Sequence, residues 1–319
     1  MKFNRLLAAA AVMAVMVGTA EARELSMGSQ DNENSNLYKG MVAFQEKLAE
    51  VSGGELTVKL FPASQLGDFK AMVAMLQAGE LDLATTGYPD MSYVIPELKL
   101  IGAPYVVSDF PELERIVNGP WGQKMEAKFE DEGVKVVDLW YYGTRQTTAN
   151  RPINAMDDLK GLRMRTPNVP FLIAYAKAVG ATPAPVAFAE VYLALQTNQV
   201  DAEENPLPTI EAMKFYEVQS AIAITNHFIA SQAIQVSLDT WDSLNEQEQG
   251  WVVEAAKAGG EVNDELTFSS EASLMSKFKD LGLTITEPDL TPFRAAMQPY
   301  YDELEVEFGK GAIAEVRGE

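Results

Sequence analysis

The chain has 319 residues, with 25 Lys and Arg against 46 Asp and Glu, one His and no Cys, giving a formal charge of -21. That length can bury a large core and lies where single cores begin to divide into two domains. Without Cys there is no disulfide framework, thiolate zinc site, iron–sulfur cluster or cysteine nucleophile, and a lone His227 argues against a multi-His metal site or a His-dependent triad. The acidic excess repels nucleic acid and anionic lipid over the surface as a whole, and any anionic small molecule too unless positive charge is gathered locally.

Residues 1–22 read as an export leader. Lys2 and Arg5 form a basic start, 6–17 an apolar run, and Ala20-Glu21-Ala22 a small-x-small cleavage site. The run is too short to favour a membrane span, an N-terminal anchor helix being the alternative. Cleavage near Ala22 leaves 23 basic and 45 acidic residues and places the mature chain in the periplasm. The pattern then predicts a strand over 24–28, a helix from Asn36 to Val51 stopped at Gly53-Gly54, and a strand where Leu56, Val58 and Leu60 alternate. A helix over 68–77, a strand over 81–86, a helix over 111–131 and a strand over 134–140 follow.

A second unit begins near Arg145. A strand is predicted over 161–166, then a helix with Thr166 as cap and Pro167 at its first position, ending at Gly180. Next come a helix over 188–197, a strand over 200–204 and a helix from Pro206 to Val218. Beyond Thr240 the chain reads as largely helical, with Trp241 and Trp251 as packing anchors and a last strand over 283–286. Alternation of strands and helices without a linker or repeat predicts an α/β fold of two joined units.

Neither a phosphate-cradling glycine loop nor a G-x-S-x-G elbow is present. The stretch DNENSN at 31–36 begins like a calcium loop, but Asn36 stands at position six and Val42 at position twelve, so the match fails. His227 reads as a hydrogen-bonded structural residue. The informative feature is the placement of arginine. Of nine in the chain, Arg145, Arg151, Arg163 and Arg165 fall within 21 residues. A guanidinium fork suits bidentate capture of a carboxylate or sulfonate. Arg163 and Arg165 share one strand face, and Arg165 immediately precedes the expected helix start, where free N–H groups favour an anion. Pairing with the protein's own carboxylates is the ordinary alternative. It is favoured for Arg151 and Arg163 and open for Arg145 and Arg165.

YYGTRQTTANRPIN at 141–154, the long stretch from LKGLRMRTPN to EENPL over 159–207, FPASQLGD at 61–68, FYEVQ, TNHF and the late PYY resemble the substrate-binding subunits of tripartite ATP-independent periplasmic (TRAP) transporters. The pattern is most like that of the sialic-acid-binding branch and covers nearly the whole mature chain. The resemblance implies a two-lobe periplasmic binding protein fold with crossing strands and a long linking helix. Lobe I would comprise 23–142 with 231–270, and lobe II 143–230 with 271–319. Arg165 would grip the ligand carboxylate, with Arg145 a second arginine nearby and Asn205 a carboxylate-contacting amide. Asn168 and Phe188 would line the pocket, facing Gln30 and Gln232 from the other lobe. No catalysis, cofactor or metal is implied. The implied partners are a small organic anion and the small and large membrane permease subunits, served by a monomer.

The chain also departs from that branch. Phe69 and Gly87 stand where sialic-acid binders place acidic contacts for the sugar's polar tail, and Asp90 where they place an arginine. A nine-carbon polyhydroxylated acid would lose its partners, and unpaired buried polar groups are costly. The expected ligand is a smaller anion: a uronate or other sugar acid, a hydroxy- or dicarboxylate, or a short sulfonate. Phe69, Tyr88 and Trp140 are candidates to shape the smaller pocket, with core packing as the alternative for each. A periplasmic enzyme acting on sugar acids and a sensor-coupled binding protein are the rival functions.

Overall fold

The computed structural model describes residues 22–318; the leader predicted over 1–22 lies outside them except for its last residue. Nine strands form one mixed sheet. In chain order they are β1 (Arg23–Gly28), β2 (Leu56–Phe61), β3 (Leu83–Gly87), β4 (Val134–Ala149), β5 (Arg163–Thr166), β6 (Thr182–Pro185), β7 (Ala202–Pro206), β8 (Ala221–Ser237) and β9 (Thr284–Thr286). The order across the sheet is β2-β1-β3-β8-β4-β7-β5-β6, with β9 also on β8.

Two strands do the joining. β4 and β8 run antiparallel from Val134↔Ser237 to Ala149↔Ala221. The late part of β8 takes β3 as its other neighbour, whereas its first residues take β9. The register shifts between Tyr141 and Gly143 and between Arg145 and Thr147. Bulges of this kind bend a ladder and increase its twist. Gly143 adopts φ +116, and a Cβ there would lie 2.6 Å from Pro206 Cβ, so the turn needs glycine twice over.

The first half builds as the alternation predicted. Leu25 and Met27 of β1 and Leu56 and Val58 of β2 are buried. The helix Asn36–Val51 lies over them on Leu37, Met41, Phe44 and Leu48, a three-and-four spacing. Its N-cap Ser35 accepts a hydrogen bond from the Tyr38 N–H at 3.0 Å. The 35-residue helix Glu246–Asp280, opened by an Asn245–Glu248 capping box, packs along it. At about 1.5 Å per residue it is roughly 50 Å long, enough to reach both halves. Trp241 and Trp251 pack half-buried against this cluster. In the second half, Met164, Tyr175, Ala202 and Phe293 share one core and Val191, Ile210, Phe215 and Phe278 another. The C-terminal helices touch both halves. Met297 joins Met164 and Tyr175, whereas Leu304 and Val316 join Leu98 and Phe110.

Several elements differ from the sequence reading. β4 continues nine residues past Trp140, because the stretch after it stays paired with β8 and gains β7 as a second neighbour from Arg145. β8 was not predicted; its near-continuous burial hides the period-two pattern. The helix predicted over 111–131 is two, Phe110–Val117 and Pro120–Asp131, broken at Gly119. Those predicted over 188–197 and from Pro206 to Val218 each divide into a short α-helix and a 3₁₀ turn. The helix after β5 begins at Pro170 with Val169 as its cap, so Thr166 ends the strand and Pro167 lies in the loop. Arg165 therefore does not adjoin a helix N-terminus. Among the described residues no helix is long and apolar enough to cross a membrane.

Candidate ligand-binding site

A cavity of about 240 Å³ lies where the two halves meet, lined from one side by Gln30, Phe69, Asp90 and Gln232 and from the other by Arg145, Arg165, Asn168, Phe188 and Asn205. That volume is below the range usual for drug-sized ligands.

Arg165 on β5 is 2% exposed. Its Nε and Nη2 both donate to the Val186 carbonyl, at 3.0 and 2.9 Å, and the guanidinium lies 5.9 Å from the Phe188 ring centre. No carboxylate among the described residues forms a salt bridge with it. Burial pushes its pKa down to about 10, opposed by the negative charge of Glu204, so it stays cationic at neutral pH. An unpaired buried cation lining a cavity is a strong receptor for an anion.

Arg145 on β4 is also buried, but its charge is met from within. Its Nε donates to Glu204 Oε2 at 2.5 Å, and its Nη2 to Glu204 Oε1 at 3.0 Å and to the Glu204 carbonyl at 2.5 Å. The same Glu204 Oε2 lies 3.0 Å from His227 Nε2, while Nδ1 is 2.9 Å from Thr225 Oγ1. Burial lowers the His227 pKa although Glu204 raises it. Glu204 can only accept, so Nε2 carries the hydrogen and Nδ1 accepts from Thr225. His227 is the structural histidine expected, stacked on Tyr175 at 4.0 Å. Next door, Glu203 points the other way. It accepts from Thr148 Oγ1 at 3.0 Å and from Asn205 Nδ2 at 2.7 Å, and burial pushes its carboxyl up to about 7. Asn205 thus commits one of its amide hydrogens to Glu203 and keeps its place on the cavity wall.

The remaining arginines of the cluster are structural. Arg163 binds Asp201, with Nη2 to Oδ1 at 2.6 Å and Nε to Oδ2 at 2.9 Å, and Arg151 donates to the Asp158 carbonyl.

Two predicted pocket aromatics are not in the cavity. Tyr88 is buried with its ring 5.3 Å from Phe129, in the first-half core. Trp140 is fully buried on the far side, where Nε1 donates to the Ala256 carbonyl at 3.0 Å and to Asp138 Oδ2 at 3.1 Å. A Cβ at Gly40, Gly259 or Gly260 would come within 3 Å of its ring, so those glycines make room for the indole. In a strand, neighbours point to opposite faces, and Trp140 takes the helix-facing one. Phe69 does line the cavity.

The sequence reading missed Asp31, Tyr142, Phe171, Phe228 and Ser231, which also line it. The Tyr142 hydroxyl donates to Asp31 at 3.0 Å, and burial pushes that carboxyl up to about 7. Asp31 directly follows Gln30 and opens the stretch that failed as a calcium loop. Phe228 and Ser231 lie on the unpredicted β8.

The chain has relatives of known name and structure. The sialic acid-binding periplasmic protein SiaP of Vibrio cholerae is 38% identical over 314 residues, 98% of each chain. The 2,3-diketo-L-gulonate-binding periplasmic protein YiaO of Escherichia coli is 30% identical, over 90% of this chain and 88% of that one. A TRAP periplasmic solute-binding protein from Polaromonas sp. JS666, solved with bound D-erythronate, superposes with TM-score 0.87 at 29% identity, covering 93% of this chain and 98% of that one. The family model for bacterial extracellular solute-binding protein, family 7, matches residues 27–307, and the chain belongs to this DctP family of two-lobe solute-binding proteins.

Proposed function

We propose that this protein captures a small organic anion, a sugar acid, a hydroxy- or dicarboxylate or a short sulfonate, in the periplasm and delivers it to a TRAP permease. The family is one of solute-binding proteins rather than enzymes. The observation that carries the ligand class is Arg165, a buried guanidinium on the cavity wall with no internal carboxylate. In water a carboxylate–guanidinium pair gains little; in a closed cavity the charge-assisted bonds strengthen. The ligand stabilises the closed form by its differential affinity for it. D-erythronate in the Polaromonas relative supports a short polyhydroxy acid. Phe69, Gly87 and Asp90, together with the small volume, speak against sialic acid despite the likeness to SiaP.

The bulges in β4 and Gly143 support lobes of 23–142 with 231–270 and of 143–230 with 271–319, hinging where β4 and β8 cross. The leader is removed near Ala22, the mature protein acts as a monomer, and small and large permease subunits receive the closed form. Sodium-gradient coupling at the permease follows the resemblance. A thermal-shift screen over organic acids and sulfonates tests the reading, since a ligand bound only by the folded state raises the melting temperature. Saturable shifts abolished by Arg165→Ala support it. A full screen without a shift, or shifts unaffected by Arg165→Ala, would sink it.

A further inference from the structure

The first-half wall of the cavity has a feature that the anion anchor does not explain. Gly87 ends β3 opposite Gln232 of β8. Its φ of -56 and ψ of 132 suit any residue, so the backbone does not call for glycine. Space does. A Cβ at Gly87 would lie 2.7 Å from Cγ, Oδ1 and Oδ2 of Asp90 together, so the carboxylate lies flat against the glycine. Both residues line the cavity. Ser231 lines the same wall, is 3% exposed, and its Oγ has no hydrogen-bond partner among the described residues.

Charge accounting limits what can bind against this wall. The cavity is lined by two cations, Arg145 and Arg165, and Glu204 already neutralises the first. One uncompensated guanidinium balances one ligand carboxylate. A second carboxylate would enter a cavity whose first-half side already carries Asp31, Asp68 and Asp90, and like charges brought together in a desolvated site repel strongly.

We propose that Gly87 and Asp90 form the subsite that decides specificity: Asp90 accepts a hydrogen from a donor group, hydroxyl or ammonium, at the ligand end opposite the carboxylate held by Arg165, and excludes a second carboxylate. This rests on the solute-binding reading above and narrows it, removing dicarboxylates. Gly87 serves by leaving room for the carboxylate, and Ser231 and Gln232 offer neutral groups beside it.

The test is calorimetric titration at pH 8.5, where Asp90 is ionised, with D-erythronate, 4-hydroxybutyrate and 4-aminobutyrate against meso-tartrate, succinate and butyrate. The three acids with a donor group at the end opposite their carboxylate should bind at least about tenfold tighter than the other three, as expected for a hydrogen bond to a charged group. The stronger of the hydroxy and amino acids identifies the donor. Asp90→Asn should shrink the preference for 4-hydroxybutyrate over succinate about tenfold. Gly87→Ala, whose methyl displaces only the end of the Asp90 side chain, should shift it in the same direction with an unchanged melting temperature. Equal binding of succinate and 4-hydroxybutyrate by the unaltered protein, or a preference untouched in both variants, overturns the subsite. So does failure of all six acids to bind. If other acids still bind through Arg165, the subsite alone falls; if none binds in the full screen, the proposed function falls with it.

Discussion

Arg145 on β4 and Arg165 on β5 lie two strands apart in one sheet, with β7 between them; both are nearly inaccessible and both line the same cavity, yet their surroundings give them different work. Arg145 is closed into a network of Glu204, His227 and Thr225. Arg165 has a carbonyl and an aromatic face but no counter-charge. The adjacent glutamates show the same contrast. Glu204 is held below the usual carboxylate range by Arg145 and by the His227 hydrogen bond, against the opposing effect of burial, whereas burial holds Glu203 up at about 7. Burial alone therefore does not define a binding residue. What separates them is whether the compensating charge is part of the chain or must come from outside.

The largest effect should come from breaking the closed member. Arg145→Ala leaves Glu204 buried without its cation, which destabilises by about 3–5 kcal/mol; urea unfolding of the ligand-free protein measures it, and a loss below 1 kcal/mol would contradict the assignment. Arg165→Ala should do the reverse. It lowers ligand affinity by about a hundredfold or more, read by calorimetry, while the ligand-free melting temperature holds or rises because an uncompensated buried charge is gone. Equal stability losses in both variants would erase the comparison.

A smaller effect separates the glutamates. In Glu203→Gln the amide oxygen can still accept from Asn205 while its NH2 donates to Thr148 Oγ1, whose hydroxyl then turns to Gln219, so the variant should stay within about 1 kcal/mol of the unaltered protein at pH 7 and gain on it at pH 8.5. Destabilisation at both pH values would mean that Glu203 is held ionised by a partner. The smallest is a pH dependence. Asp31, Asp90 and Glu203 have folded pKa values raised to about 7, so the folded state binds more protons than the unfolded one between about pH 4 and pH 7. Their contribution to stability falls as pH rises through that window. Glu204 is depressed, so its contribution is lost only at still lower pH. Asp31→Asn should therefore raise the ligand-free melting temperature at pH 8 by a few degrees relative to its effect at pH 5. A gain confined to pH 5 would reverse the sign.

Much of the site could be read along the chain because it is made of local contrasts. Four arginines within 21 residues of a strongly acidic protein are conspicuous by composition alone. The helix expected from Asp68 and the alternation of Leu56 and Val58 are local effects of hydrogen bonding and pleat; the structure has both, the helix running over Phe69–Gln77 with Asp68 as its cap. Arg165, Arg145, Asn205, Asn168, Phe188, Gln30, Gln232 and Phe69 do meet at one cavity. Tyr88 and Trp140 do not, because an aromatic on a strand or turn looks the same from sequence whichever face it takes.

The sequence by itself determined the α/β alternation, the absence of cysteine and multi-histidine chemistry, and the concentration of guanidinium in one stretch; each depends on residue type and near spacing. Only the tertiary structure decided which arginine is paired. Glu204 meets Arg145 and Asp201 meets Arg163 across gaps of 59 and 38 residues, and no local pattern records those distances. It also revealed β8, whose buried run carries no alternation, and the match between a glycine at 87 and a carboxylate at 90. Pairing of charge and allocation of space are properties of the packed chain, and in this protein they decide which cation remains for a ligand.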